Sequence, residues 1–293
     1  MNRRHFCYLG ASASLLAGLS PIINGAPSSR RFTKKNNRLF FDFEEVDRIR
    51  ANTRSKFLNP LYREWSSHRP SELAEALDAF AKSRDVAREF AAALEALTQS
   101  ATVQLVDPSD ERRDSLIAGI ERLIDFPYWD YFRDGPIDPI GIQRASTAIV
   151  RLLYAREVLD KAIYPDLDRR LMEAIATKGC LPCYRTVYGM DNPDTVKGWQ
   201  FDDRHAGFYD IGMSRWPEIL GGNNLRAAPT AALGIGAIAL RGLDSRADLW
   251  LETAIASSRR VLPLFSPDGS YFEGISYAGY TLRTTLSFFE THQ

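Results

Sequence analysis

The sequence predicts an all-α protein made of antiparallel helical hairpins packed side by side. Three observations carry that expectation. Apolar residues recur at helical spacing in segment after segment, short turns with capping residues separate the segments, and only one short stretch has strand composition. With 45% hydrophobic and 25% charged residues, the chain has the make-up of a folded globular protein.

The segments follow in order. DFEEVDRIRANTRSKFLNPLYREW places Phe43, Val46 and Ile49 three apart, with acids early and bases late as the helix dipole favours. SELAEALDAFAKSRDVAREFAAALEAL opens on Ser71, and its Ser-Arg-Asp at 83–85 predicts a break between two helices. TVQLV at 102–106 is the one clear strand candidate. DPSDERRDSLIAGIERLIDF has an Asp/Ser cap and then Leu116, Ile117, Ile120, Leu123 and Ile124 on one helix. RASTAIVRLLYAREVLDKAI carries Ile149, Leu152, Leu153, Leu159 and Ile163 until Pro165, and the next helix is expected to stop at Gly179. A long loop rich in Gly, Asp, Arg, Trp and Tyr is predicted from Tyr184 to Asn224, and a loop of that length points to function. APTAALGIGAIALRG and RADLWLETAIASSRRVLPLF form a further helical pair, and a last helix ends the chain.

The 37 basic and 37 acidic side chains balance, which argues against a dedicated nucleic-acid binder. Residues 1–26 read as an export leader of the twin-arginine type: Asn2-Arg3-Arg4-His5-Phe6 precedes a small-residue run that ends at Ala26. That run is too short and too rich in Gly, Ser and Ala for a membrane span, so a periplasmic or secreted protein with no membrane anchor is expected. A basic connector covers 27–37, and the folded domain 38–293. Cys180 and Cys183 form a C-x-x-C without a second pair to complete a zinc site, which favours a structural disulfide or two free thiols. Beyond the leader only His68, His205 and His292 remain, so neither a metal site nor a cofactor is expected.

Three clusters offer chemistry. FPYWDYF (126–132) supplies five aromatics, among them Trp129, that suit either stacking on sugar faces or a plug between helices. MSRWPEILGGNNLRAAPTAALGIG places Trp216, Asn223, Asn224 and Arg226 just before a small-residue helix. An Asn there is an ordinary N-cap, yet amides and a guanidinium at a helix start also make a receptor for a carboxylate. In PDGSYFEGISYAGYTL, Glu273 precedes Tyr277 and Tyr280, which share a helix face at a spacing of three.

In this order the features resemble the heparinase II/III-like and alginate lyase superfamily of polysaccharide lyases. The resemblance starts in NRLFFDFEEVDRIR (37–50), continues through TAIVRLLYAREVLDKAIYPDLDRRLMEAI, and ends in NNLRAAPTAALGIGAIAL and PDGSYFEGISYAGYTL. It implies an incomplete (α/α) toroid that cleaves an acidic polysaccharide or oligosaccharide by β-elimination. A proton leaves C5 beside the uronate carboxylate and the C4–O bond breaks, so the carboxylate charge has to be neutralised. By resemblance Asn224 does this, and Tyr277 gives the proton to the leaving oxygen. A free tyrosine titrates near 10; as the base it needs a neighbouring cation, for which Arg226 and Arg283 are available. Asn223, Arg226, Glu273, Tyr280, Trp216, Trp129 and His205 are the expected substrate contacts. Relatives often carry a His after the Asn, where this chain has Leu225, and His205 is the available substitute. They also continue into a C-terminal β-sandwich, which is not encoded before Gln293. Two other readings compete: a toroidal glycoside hydrolase using Asp202-Asp203 or Asp130, and a non-catalytic glycan-binding domain.

Overall fold

The computed structural model describes residues 38–202, 204–205 and 215–292. The leader 1–26, the connector 27–37 and Asp203 lie outside the described residues. What is described is mostly helical, in the order α1 (Phe43–Thr53), α2 (Asn59–Ser66), α3 (Ser71–Ser83), α4 (Glu89–Val106), α5 (Asp110–Asp125), α6 (Arg144–Leu159), α7 (Pro165–Ala174), α8 (Leu181–Asp191), α9 (Trp216–Gly221), α10 (Ala227–Leu240), α11 (Ala247–Val261) and α12 (Ile275–His292). The caps explain several starts. Asp42 and Glu45 form a reciprocal capping box on α1, and the Ser109 hydroxyl accepts the Arg112 N–H at the start of α5. The break expected at 83–85 is present, where Arg84 takes a left-handed conformation (φ 54°) after α3.

Three expectations are corrected. TVQLV is the last part of α4, because Leu94, Leu97, Ala101 and Leu105 form one buried helical face and packing overrides β-branched composition. Gly179 stops nothing: a π-helical stretch Ile175–Cys180 joins α7 to α8. Glycine is required there for close approach, since a Cβ would lie 2.5 Å from Cγ1 of Ile149. The long loop therefore begins eight residues late, at Asn192, and part of it is strand. Trp199–Phe201 is an outer strand, β3, paired antiparallel with β1 (Phe132–Asp134), which pairs in turn with β2 (Asp138–Ile140).

Helices α4, α6, α10 and α12 pack as neighbours in that order; α3 and α5 pack on α4, and α11 on α10. Three contacts spaced along α4 and α6 show that these two run parallel. The Ala87 carbonyl accepts Arg144 Nε at 2.9 Å, Glu95 pairs with Arg151 at 2.6 Å, and Thr102 meets the Tyr154 hydroxyl at 3.2 Å. The start of α12 likewise meets the start of α10, where Glu273 binds Asn224, while Phe288 reaches Gly234 further along both. The N-terminal ends of the row thus gather together. Cys180 and Cys183 are free and buried in the core between these helices. Burial pushes the Cys183 thiol up to about 12 and raises the Cys180 thiol well above its ordinary value, so neither is a nucleophile. No helix among the described residues is long and apolar enough to cross a membrane.

Candidate functional site

The two motifs at the N-terminal end meet through one carboxylate. Asn223 is the N-cap of a 3₁₀ turn Asn224–Arg226, its side chain accepting the Leu225 N–H at 2.9 Å. The ordinary cap therefore accounts for Asn223, leaving Asn224 as the residue without a structural duty for its side chain. Asn224 is buried, and its backbone N–H donates to Oε2 of Glu273 at 3.0 Å. Its side-chain amide has no partner among the described residues. The Tyr271 hydroxyl donates to the same Glu273 oxygen at 2.9 Å. Burial, opposed by the Thr281 hydroxyl and reinforced by Glu273, pushes the Tyr271 phenol up to about 12 and keeps it a donor. Gly274 follows with φ 91°, a conformation that favours glycine, and turns the chain into α12.

Tyr277 is in the first turn of α12, 40% exposed, and its hydroxyl has no hydrogen bond to the described residues. Because α12 packs on the 224–226 turn, Asn224 and Tyr277 occupy adjoining elements. Tyr280 follows one turn on, half-buried, and Arg283 one turn further, 6.0 Å from the Tyr280 ring centre. Burial raises the Tyr280 phenol, while Arg144 and Arg283 pull it back.

Arg226 is a correction. The expected carboxylate receptor is buried and already committed: its guanidinium donates to the Gly221 carbonyl at 2.7 Å, to Asp191 at 2.7 Å and to Ser257 at 3.1 Å. Arg260 shares Asp191 at 3.0 Å. Arg226 therefore ties the turn to α8 and α11 and is no counter-charge for Tyr277. Glu273 is also a tie, with one oxygen consumed by the protein.

The aromatic cluster resolves largely as core. Trp129 is 1% exposed and donates from Nε1 to the Leu123 carbonyl at 3.1 Å, so it presents no face to a glycan. Trp216 is half-buried against Phe132 and Phe201, with ring centres at 6.1 and 5.9 Å. Tyr128 is the exposed exception, with the Arg133 guanidinium 3.9 Å from its ring centre.

His205 is buried, not a solvated loop residue. Nδ1 lies 2.5 Å from Asp202, Nε2 lies 3.3 Å from Asp85, and the ring centre is 4.9 Å from that of Tyr131. Although burial opposes it, the Arg88 N–H and His205 hold the Asp85 carboxyl below its usual range. Tyr131 in turn reaches Gln143, so this cluster adjoins the first residues of α6.

Asp130, the alternative catalytic acid, is a cap. Oδ2 accepts the N–H groups of Gln143, Arg144 and Ala145 at 2.9 to 3.2 Å, and Oδ1 accepts that of Tyr131 at 2.9 Å. Burial pushes it up to about 6 against the Gln143, Ala145 and Tyr131 amides and the charge of Arg144. Asp202 is engaged by His205. Among the described residues, no group of three or more His, Cys, Asp and Glu side chains is placed to hold a metal ion.

Sequence reasoning missed Tyr271, Asp85 and Arg144. Tyr271 was legible as the residue two before Glu273; Asp85 and Arg144 carry no local signal, since both partners lie more than fifty residues away. The end of the helical row combines an exposed phenol, a free amide on an adjoining turn and guanidinium groups on two helices. Such a surface suits an anionic ligand that exchanges a proton. No protein-family model matches the chain, and no curated protein matches it.

Proposed function

We propose that this chain is the helical domain of an exported polysaccharide lyase, an incomplete (α/α) toroid of the heparinase II/III-like and alginate lyase kind. It cleaves a uronic-acid-containing polymer by β-elimination. The observation that carries the reading is the Glu273 bridge. It holds the Asn224 turn to the start of α12, and so places a free side-chain amide and an exposed tyrosine hydroxyl on adjoining elements.

In this reading the Asn224 amide donates to the uronate carboxylate and stabilises the charge that spreads into it as C5 loses its proton. Tyr277, as phenolate, takes the C5 proton and passes it to the O4 leaving group as the C4–O bond breaks and the C4=C5 double bond forms. Glu273 and Arg226 are positioning residues behind Asn224. The hydrolase reading is weaker, because Asp130 caps α6 and Asp202 is paired with His205.

The test uses residues 27–293 with alginate, heparan sulfate, chondroitin and polyglucuronate, following the ultraviolet absorbance of the C4=C5 bond. The expected result is a rise with one polymer that Tyr277→Phe abolishes. New reducing ends without absorbance would replace the lyase by a hydrolase. Binding without cleavage would leave a glycan-binding domain.

A further inference from the structure

Arg283 is placed unlike the other half-buried cations near the N-terminal end of the row. Along α12 it continues the flank of Tyr277 and Tyr280 at a spacing of three, whereas Thr281, Thr285 and Phe288 form the buried face. Its guanidinium makes no hydrogen bond and no ion pair among the described residues. Its one charged-group contact of note is a cation–π approach of 6.0 Å to Tyr280, at the outer limit of such contacts. Burial lowers its pKa, Tyr280 opposes, and the positive charge of Arg151 adds to the lowering. Arg151 itself is paired with Glu95 at 2.6 Å.

Arg144, at the first position of α6, also acts on Tyr280. It uses Nε for the Ala87 carbonyl and has no ion-pair partner among the described residues. Arg144, however, also faces the buried Asp130 carboxylate, whose Oδ2 accepts its backbone N–H at 3.0 Å, so Arg283 is the guanidinium at this tyrosine left without a hydrogen bond or ion pair among the described residues. A half-buried cation beside like charge is costly unless an anion completes it. The planar guanidinium matches the paired oxygens of a carboxylate or sulfate.

We propose that Arg283 forms an anion-binding subsite beside Tyr280, separate from Asn224, that receives the carboxylate or sulfate of a sugar unit next to the one being cleaved. The two sites are about 9 Å apart along α12, the rise of the six residues from Tyr277 to Arg283. A polymer with acidic groups on neighbouring units satisfies both; one with a single acidic unit among neutral sugars satisfies only the first. This inference rests on the saccharide reading of the site, but not on elimination taking place.

The experiment measures equilibrium binding in Tyr277→Phe protein, which holds ligand without turnover. The probes are an unsulfated glucuronate tetrasaccharide, a sulfated heparan tetrasaccharide and uncharged cellotetraose. Arg283→Gln is expected to weaken an acidic probe at least about tenfold, the worth of one charge-assisted hydrogen bond, and to leave cellotetraose unchanged; Arg283→Lys retains part of the affinity. Loss for the unsulfated probe assigns the subsite to carboxylate, and loss for the heparan probe alone assigns it to sulfate. Without ligand, Arg283→Gln melts at or above the parent temperature, because an uncompensated charge has been removed. Equal affinity of Arg283→Gln and parent for both acidic probes overturns the proposal, as does no binding of either acidic probe. A variant that melts several degrees lower with unchanged affinity overturns it too, since Arg283 is then only a packing residue. The elimination reading fails independently, when the unsubstituted chain makes no C4=C5 absorbance.

Discussion

Glu273→Ala tests how the two motifs are coupled. The substitution strands two donors at once, the Asn224 N–H at 3.0 Å and the Tyr271 hydroxyl at 2.9 Å. Both donor residues are buried, at 6% and 7% exposure. A hydrogen bond to a charged acceptor contributes about 1.5–3 kcal/mol. Glu273 is only half-buried, so water replaces part of each bond; a total loss of about 2–3 kcal/mol follows. For a domain of this size that is a fall in Tm of roughly 4–12 °C. Elimination falls with it, because the Asn224 turn is no longer fixed against α12. Glu273→Gln keeps an oxygen in place and recovers most of the stability. Thermal melting by circular dichroism and the absorbance assay read both effects. An alanine variant that melts within about 1 °C of the parent would refute the coupling. A Gln variant that is fully stable but inactive, with a shifted pH profile, would show that Glu273 acts on the substrate directly.

Tyr277→Phe removes an exposed hydroxyl without a protein partner, so Tm stays within about 1 °C while elimination falls by at least roughly 10²-fold, the scale of a lost general acid. Asp130→Ala strands four backbone donors at the start of α6 and costs about 2–4 kcal/mol in denaturant unfolding. The sign of its pH dependence follows from a folded pKa of about 6 against an ordinary 3.8. The carboxyl's contribution is fully present below 3.8 and is lost as pH rises through 6. The stability gap between parent and Asp130→Ala is therefore larger at pH 5 than at pH 7, by roughly 1 kcal/mol; an equal or reversed gap contradicts the assignment. Gly179→Ala places a methyl 2.5 Å from Ile149 and costs about 1–3 kcal/mol; a neutral result would show that the π-helical stretch yields easily.

The sequence by itself determined the helical class, because apolar spacing of three and four reports burial on a helix wherever one face is covered. It failed at TVQLV and Gly179 for a shared reason. Val103 and Leu105 are buried in a helix enclosed on several sides, where periodicity no longer distinguishes helix from strand, and Gly179 is set by Ile149 thirty residues away. The Asn224 and Tyr277 motifs were legible as local patterns of caps and turns. Which polar groups are free for chemistry was decided only by the tertiary structure. Arg226 and Arg283 look alike in sequence, yet Asp191 and Ser257 occupy the first, while the second faces Tyr280 and the like charge of Arg151. A side chain's availability depends on which distant partners reach it first, and that is a property of packing.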